Sequence, residues 1–309
     1  MYRYFVNAHT PHRAFQLLGN LSLRLRKYAP DCVDLRGATD CPLKASYLSP
    51  EQKFVFDVEL DKCLGLHSAT FNCSSESNHP FIQTLHAHAD GDCDSYATSD
   101  LKRFYEAFQP ETAADVVGLS PDDTHPALSA ASPFASSLPW DFLTPEENEH
   151  VLRATSARDY SDNGFQLSAD AGWKVWGPVS DAAGEAEFSR LVSIFNSVRT
   201  SGYRRHGALD GDIEGQLMSL GSEYRVRISR GQHRIAALAA MGAKTAPVRL
   251  LPKIIARSEA SLWPNVDRGF YTVEQAMAVF DRIFQGRQPD ACTAAAGLKR
   301  RASMARSRA

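Results

Sequence analysis

No Cys-x-x-Cys pair and no short zinc-ribbon spacing occurs among the six cysteines, Cys32, Cys41, Cys63, Cys73, Cys93 and Cys292. Metal or redox chemistry therefore has no motif to rest on, and the thiols gathered in the first third of the chain read as buried or incidental. Long apolar runs are also lacking, and none approaches the roughly 18 residues of a membrane span. Arg3, Arg13, Arg24, Arg26 and Lys27 interrupt the start of the chain, which removes the apolar stretch a secretory signal needs. These absences lead to the expectation of a cytoplasmic protein with no membrane span. Excess charge of one sign is lacking too. With 34 basic and 36 acidic side chains the formal charge is -2, so no overall field favours nucleic acid, and any such contact must be local.

What is present is enough for a folded protein: 309 residues, 43% hydrophobic and 10% aromatic, support one or two cores. Between Leu119 and Pro139 the composition turns to proline, serine and alanine without apolar periodicity, so 121–140 reads as a linker. The expected division is then a mixed α/β region of unknown role over 1–120, a second domain over 141–255 and a helical extension over 256–290. A disordered basic tail is expected over 291–309, with Lys299, Arg300, Arg301, Arg306 and Arg308.

In the first region Phe54, Phe56, Val58 and Leu60 alternate as a strand. Leu101, Phe104, Tyr105 and Phe108 follow Ser99 at helical spacing and stop before Pro110. His79, His86 and His88 lie near Cys73 and Cys93, but their separations match no familiar zinc-ligand spacing. Trp140, Trp173 and Trp176 read as packing residues.

The second half is more legible. Phe188, Leu191, Val192, Phe195 and Val198 share one helical face, and Gly202 stands where a helix ends in positive φ. Beyond the glycine-rich stretch 207–221, Tyr224, Val226 and Ile228 alternate as a strand that runs into a turn. Ile235, Leu238, Ala239 and Gly242 then mark a short helix, and Pro247–Leu251 a further strand. Thr272 to Gln275 forms a capping box for a helix carried by Val273, Ala276, Met277, Phe280 and Phe284.

The chemistry-bearing constellation is Ser229-Arg230-Gly231-Gln232-His233-Arg234 at the strand-to-helix junction. Gly231 can adopt a backbone conformation closed to other residues, and the first N–H groups of the helix have no intrahelical acceptor. Arg230, His233 and Arg234 crowd a helix end that already presents about half a positive charge. A phosphate satisfies the amides and the guanidinium groups together. The competing arrangement is a structural salt bridge from Arg234 to Asp210, Asp212 or Glu214. Ser229 suits a turn or capping role better than that of a nucleophile. If the stretch before the box is extended, Asp212 and Glu214 share one side and suit an acid/base or metal-binding role.

Residues 224–250 resemble the ParB/sulfiredoxin-like superfamily, whose members carry a Gly-x-x-Arg box after a strand; the similarity extends over roughly 175–255. His79-Pro80-Phe81, Trp176-Gly177-Pro178 and Trp263-Pro264-Asn265-Val266 also resemble bacterial ParB-like proteins loosely associated with polysaccharide gene sets. The resemblance implies an α+β protein with a nucleotide-binding domain, in which Ser229, Arg230, Gly231, Gln232, His233 and Arg234 hold phosphates.

Sulfiredoxin chemistry is excluded, because Gln232 stands where those enzymes place a cysteine. A chromosome-partition ParB would continue into a helix-turn-helix reader, whereas about fifty residues with one convincing helix follow the box. The free-kinase branch implies ATP or ADP, with CTP as the alternative nucleotide, and Mg2+. It implies a small hydroxylated or sugar substrate, with Asp212, Glu214 and His233 as catalytic candidates and Asp212 and Glu214 as metal ligands. The alternative implied is a nucleotide-dependent regulator or DNA-binding switch.

Overall fold

The computed structural model describes residues 32–205, 212–290 and 292. Strands β1 (Cys32–Asp34), β2 (Lys53–Glu59), β3 (Cys63–Gly65) and β4 (Phe71–Asn72) come from the first part of the chain. Helices α1 (Pro42–Leu48), α2 (Pro80–Ala89), α3 (Asp100–Ala107), α4 (Ala113–Val117), α5 (Pro126–Ser129), α6 (Pro145–Asp162) and α7 (Asp181–Ser201) are interspersed with and follow them. Strands β5 (Ile213–Leu220) and β6 (Glu223–Arg230), helix α8 (Gln232–Ala240), strands β7 (Thr245–Leu250) and β8 (Ile255–Ala256), and helices α9 (Pro264–Asp267) and α10 (Val273–Phe284) complete the described elements.

All these strands form one mixed sheet in the order β1-β2-β7-β5-β6-β3-β4, with β8 also paired to β5. The α+β expectation agrees with this mixture of elements. The expected separation of the two halves does not: β2 pairs antiparallel with β7, and β3 pairs parallel with β6. The segment 121–140 belongs to the packed body and is not a linker between cores, since Leu128, Phe134, Leu138 and Trp140 are buried. Its prolines start short helical turns, with Pro121, Pro126 and Pro133 at first-turn positions where the missing N–H is harmless. The extension expected over 256–290 packs against the sheet as well. The expected basic tail lies outside the described residues, apart from Cys292.

Two apolar clusters flank the sheet. On one side Phe54, Phe56 and Val58 meet Phe81, Phe104, Leu191, Phe195 and Ile235 from α2, α3, α7 and α8. On the other, Leu64 and Met218 meet Val117, Trp140, Trp263, Phe280 and Ile283. Trp173 and Trp176 are buried in the first cluster, which matches their reading as packing residues. Asn265 ties the 137–143 loop to the second, its Nδ2 donating to Ser137 Oγ and to the Leu138 and Leu143 carbonyls at 2.9, 2.9 and 3.0 Å.

The helix ends agree with the capping signals. Ser99 accepts from Lys102 N, Ser180 from Ala183 N, and Thr272 with Gln275 closes a full capping box. Strand β5 falls in the glycine-rich stretch 207–221, to which the sequence assigns no element. It is buried on both faces, with Leu217 in one cluster and Met218 in the other, so no alternation marks it. Among the described residues no helix is long and apolar enough to cross a membrane.

Candidate functional site

Gly231 joins β6 to α8 at φ 78°, ψ 28°. A Cβ here would lie 2.9 Å from Ile213 Cα and 3.3 Å from the Asp212 carbonyl. The glycine is therefore required twice, by the left-handed conformation and by the approach of β5. We expect Gly231→Ala to destabilise the fold on the order of 2 kcal/mol or more, from the left-handed cost together with the displaced β5 backbone. A chemical-denaturation midpoint indistinguishable from the parent protein would contradict this account.

Gly231 is followed by amides that precede the first intrahelical acceptor, Ile235 N being the one that reaches the Gly231 carbonyl, at 3.0 Å. No side chain caps this end of α8. The box side chains divide sharply. Gln232 is buried, with Oε1 accepting from Leu66 N at 3.0 Å and Nε2 donating to the Ile228 carbonyl at 2.8 Å. Its amide locks the helix start to β3 and β6 and leaves only its backbone N–H for a ligand. His233 is also buried, its Nε2 2.8 Å from Glu187 Oε1 and its ring stacked on Phe81 at 5.1 Å. The expected catalytic role for the His233 side chain has only Nδ1 left to it, because Nε2 is committed to a carboxylate of α7. Burial pushes the Glu187 carboxyl up, but His233, Lys174 and Arg190 outweigh it and hold the group below its ordinary value.

Ser229 Oγ donates to the Glu214 carbonyl at 3.2 Å, the turn-stabilising role and not a ligand contact. Arg230 projects into solvent, its Nε 3.9 Å from Glu214 Oε1. Arg234 is half-buried and makes no side-chain hydrogen bond or ion pair among the described residues. The bridge to Asp212 or Glu214 that competes with a ligand in the sequence reading is not formed; Asp210 lies outside the described residues.

The two carboxylates do sit beside this helix start, on an interior ion cluster. Glu214 lies opposite Arg230 on β6 and Arg249 on β7 in the sheet register. Its Oε2 accepts from Lys53 Nζ at 2.9 Å and from Arg249 Nε at 3.0 Å, with Arg249 Nη2 also at 3.0 Å. Asp212 Oδ2 accepts from Arg205 Nη2 at 3.0 Å and faces Arg249 Nη1 at 3.9 Å. Asp212 Oδ1 is buried with no hydrogen-bond partner. The expected Mg2+ role for this pair does not fit, since a divalent cation would have to enter among the Lys53, Arg205 and Arg249 cations that already hold Glu214 Oε2 and Asp212 Oδ2. Among the described residues no group of histidine, cysteine, aspartate or glutamate is arranged to hold a metal ion. His86 instead faces Ser75 Oγ and His88 the Cys93 carbonyl.

Among the described residues, Lys53, Arg205, Arg230 and Arg249 are ion-paired in this cluster with Asp212 and Glu214, and Asp34 adds a carboxylate near Arg205. The corner therefore has more positive than negative charge before Arg234 is counted. Tyr203 marks its edge: the hydroxyl accepts from Ile213 N at 3.0 Å. Burial raises its pKa, Asp212 adds to the rise, and Arg234 and Arg205 oppose it.

Lys53, Arg205 and Arg249 carry no motif and were not legible as site residues. Glu187 did leave a signal, as a charged residue four positions from both Ala183 and Leu191 on the apolar stripe of its helix. Comparison with known proteins finds no matching family model, no matching curated protein and no matching solved structure. The class defined by fold and site is thus an α+β protein with a cation-rich helix start at the end of its central sheet.

Proposed function

We propose that the protein binds the phosphates of a nucleotide, ATP or ADP, at the start of α8 and transfers a phosphoryl group to a small hydroxylated or sugar substrate. The observation that carries this reading is the coincidence, among the described residues, of uncapped α8 amides with an uncommitted Arg234 and a surplus of cations, an arrangement that an added anion would complete. The resemblance of 224–250 to ParB/sulfiredoxin-like proteins supports the same reading.

Backbone amides of Gln232, His233 and Arg234 take phosphate oxygens, and the Arg234 guanidinium adds a bidentate fork. The nucleotide supplies the phosphoryl group. Asp212 takes the proton leaving the substrate hydroxyl on its unpartnered Oδ1, which is buried in the free protein and becomes reachable only if the corner opens on ligand binding, while Arg205 fixes its other oxygen. Glu214 orients Arg249 and Arg230 and does not contact the ligand.

Arg234→Gln preserves side-chain length but removes the charge. In a thermal-shift panel of ATP, ADP and CTP, with and without magnesium, ATP or ADP is expected to raise Tm by several degrees at saturating concentration. Arg234→Gln is expected to weaken binding by about tenfold or more, the worth of a charge-assisted contact. Absence of stabilisation by every nucleotide would remove the proposal. A response to CTP alone, enhanced by DNA, would replace it with the nucleotide-dependent regulator.

A further inference from the structure

Three residues of the Leu66–Thr70 loop occupy left-handed backbone conformations without being glycine: Leu66 at φ 55°, His67 at 50° and Thr70 at 56°. Each costs about 1 kcal/mol or more, and such costs persist only where the surroundings enforce them. Here the enforcement is visible. Gln232 Oε1 accepts from Leu66 N at 3.0 Å, Arg282 Nη1 donates to the Ser68 carbonyl at 3.0 Å, and Gln288 Nε2 donates to the Thr70 carbonyl at 2.6 Å. Arg282 is itself buried, and burial lowers its pKa to about 10. An interior guanidinium is thus spent on holding this loop in shape.

The restrained loop presents His67, whose imidazole has no hydrogen-bond or ion-pair partner among the described residues. Desolvation, followed by the charges of Arg227 and Lys174, pushes it down to about 3, so the ring is neutral, and the turn His67–Ala69 lies against β6, the strand that carries Arg227. Lys174 is held by Asp159 at 2.7 Å. Arg227 is less committed: its Nε is buried without a partner, and its Nη2 reaches Asp141 only at 3.7 Å. The loop leaves the end of β3, which runs parallel to β6 with Leu64 opposite Arg227. Both strands therefore end on the side of the sheet where α8 begins, the side on which open α/β sheets bind ligands.

We propose that His67 and Arg227 form a second subsite, which takes an oxyanionic group, carboxylate or phosphate, carried by the hydroxylated substrate. The imidazole N–H and the guanidinium Nε–H supply donors, and the anion completes Arg227 where Asp141 does not. The placement of that substrate beside a nucleotide rests on the proposed phosphotransferase activity; the anion subsite itself does not.

The test is a long-range proton–nitrogen NMR titration of histidine-labelled full-length protein with acetate, inorganic phosphate and glycerol. The His67 ring signals are expected to move saturably with acetate or phosphate and not with glycerol, and the tighter oxyanion identifies the group. Arg227→Gln should weaken that response about tenfold or more. His67→Gly relieves the left-handed strain, so its Tm should equal or exceed that of the parent while anion binding is lost. No response of His67 to either oxyanion, an equal response to glycerol, or a large fall in Tm for His67→Gly overturns the subsite. Loss of nucleotide stabilisation with an intact His67 response would overturn the phosphotransferase reading alone.

Discussion

Glu214→Ala is expected to destabilise the protein by about 3–5 kcal/mol, the usual cost of removing one member of a buried charge group. The carboxylate is 6% exposed and accepts from Lys53 and from Arg249, which is itself 7% exposed. Its removal leaves Arg249 buried against Asp212 at 3.9 Å as its remaining charged neighbour among the described residues. Replacing both sides, Glu214→Leu with Arg249→Met, should recover part of the loss, because apolar residues of similar volume need no compensation. Urea unfolding of the two single variants and the double variant measures this directly; a single-variant loss below about 1 kcal/mol would mean that solvent reaches the cluster. The same variants separate structural from functional roles. Glu214→Ala increases the cationic surplus beside α8, so nucleotide affinity should hold or rise in the folded fraction, whereas a metal ligand would lose it.

The second large effect is a loss of stability on mild acidification. His79 is fully buried, its Nδ1 accepting from Phe81 N at 3.2 Å while Nε2 lacks a partner. Burial lowers its pKa from 6.5 to about 3, the backbone contact opposes this, and His233 adds to it. His67 is lowered from 6.5 to about 3 as well. Below 6.5 the unfolded chain takes up these protons and the folded one does not. Stability is therefore complete above that value and falls as the pH drops towards 3.

Each group contributes a slope of up to about 1.4 kcal/mol per pH unit inside that window. Urea midpoints followed from neutral pH down to about 5 should fall steadily. His79→Asn retains an oxygen able to cap Phe81 N, and should flatten the profile by one group. A profile that stays level would show that both rings take up protons in the folded protein as they do in the unfolded chain. At lower pH Glu187 joins. Its folded pKa lies below 4.5, so its contribution is present above that value and is lost as pH falls through the folded one.

Local signals in the chain were read well where one face of an element meets the core. The apolar stripe of α7, the cap at Ser99 and the box at Thr272–Gln275 depend on neighbours within one or two turns, and each occurs in the structure. The need for glycine at 231 was legible for the same reason. Strand β5 was not, because burial on both faces erases alternation. The proline-rich stretch resembles a linker in sequence because a proline that starts a short helix and one that breaks a chain look alike until the packing of Leu128, Phe134, Leu138 and Trp140 is known.

By itself the sequence determined the elements around the Ser229–Arg234 box, the positive φ at Gly231 and the crowding of basic groups at one helix start. Only the tertiary structure decided which of those groups are free. Gln232 and His233 are consumed by Leu66, Ile228 and Glu187, partners up to 166 positions away, and Glu214 by Lys53 at a separation of 161. Hydrogen bonds and ion pairs form between atoms in space, and sheet pairing brings distant segments together without leaving a periodic trace along the chain. The same pairing set Arg227 opposite Leu64, three residues ahead of His67.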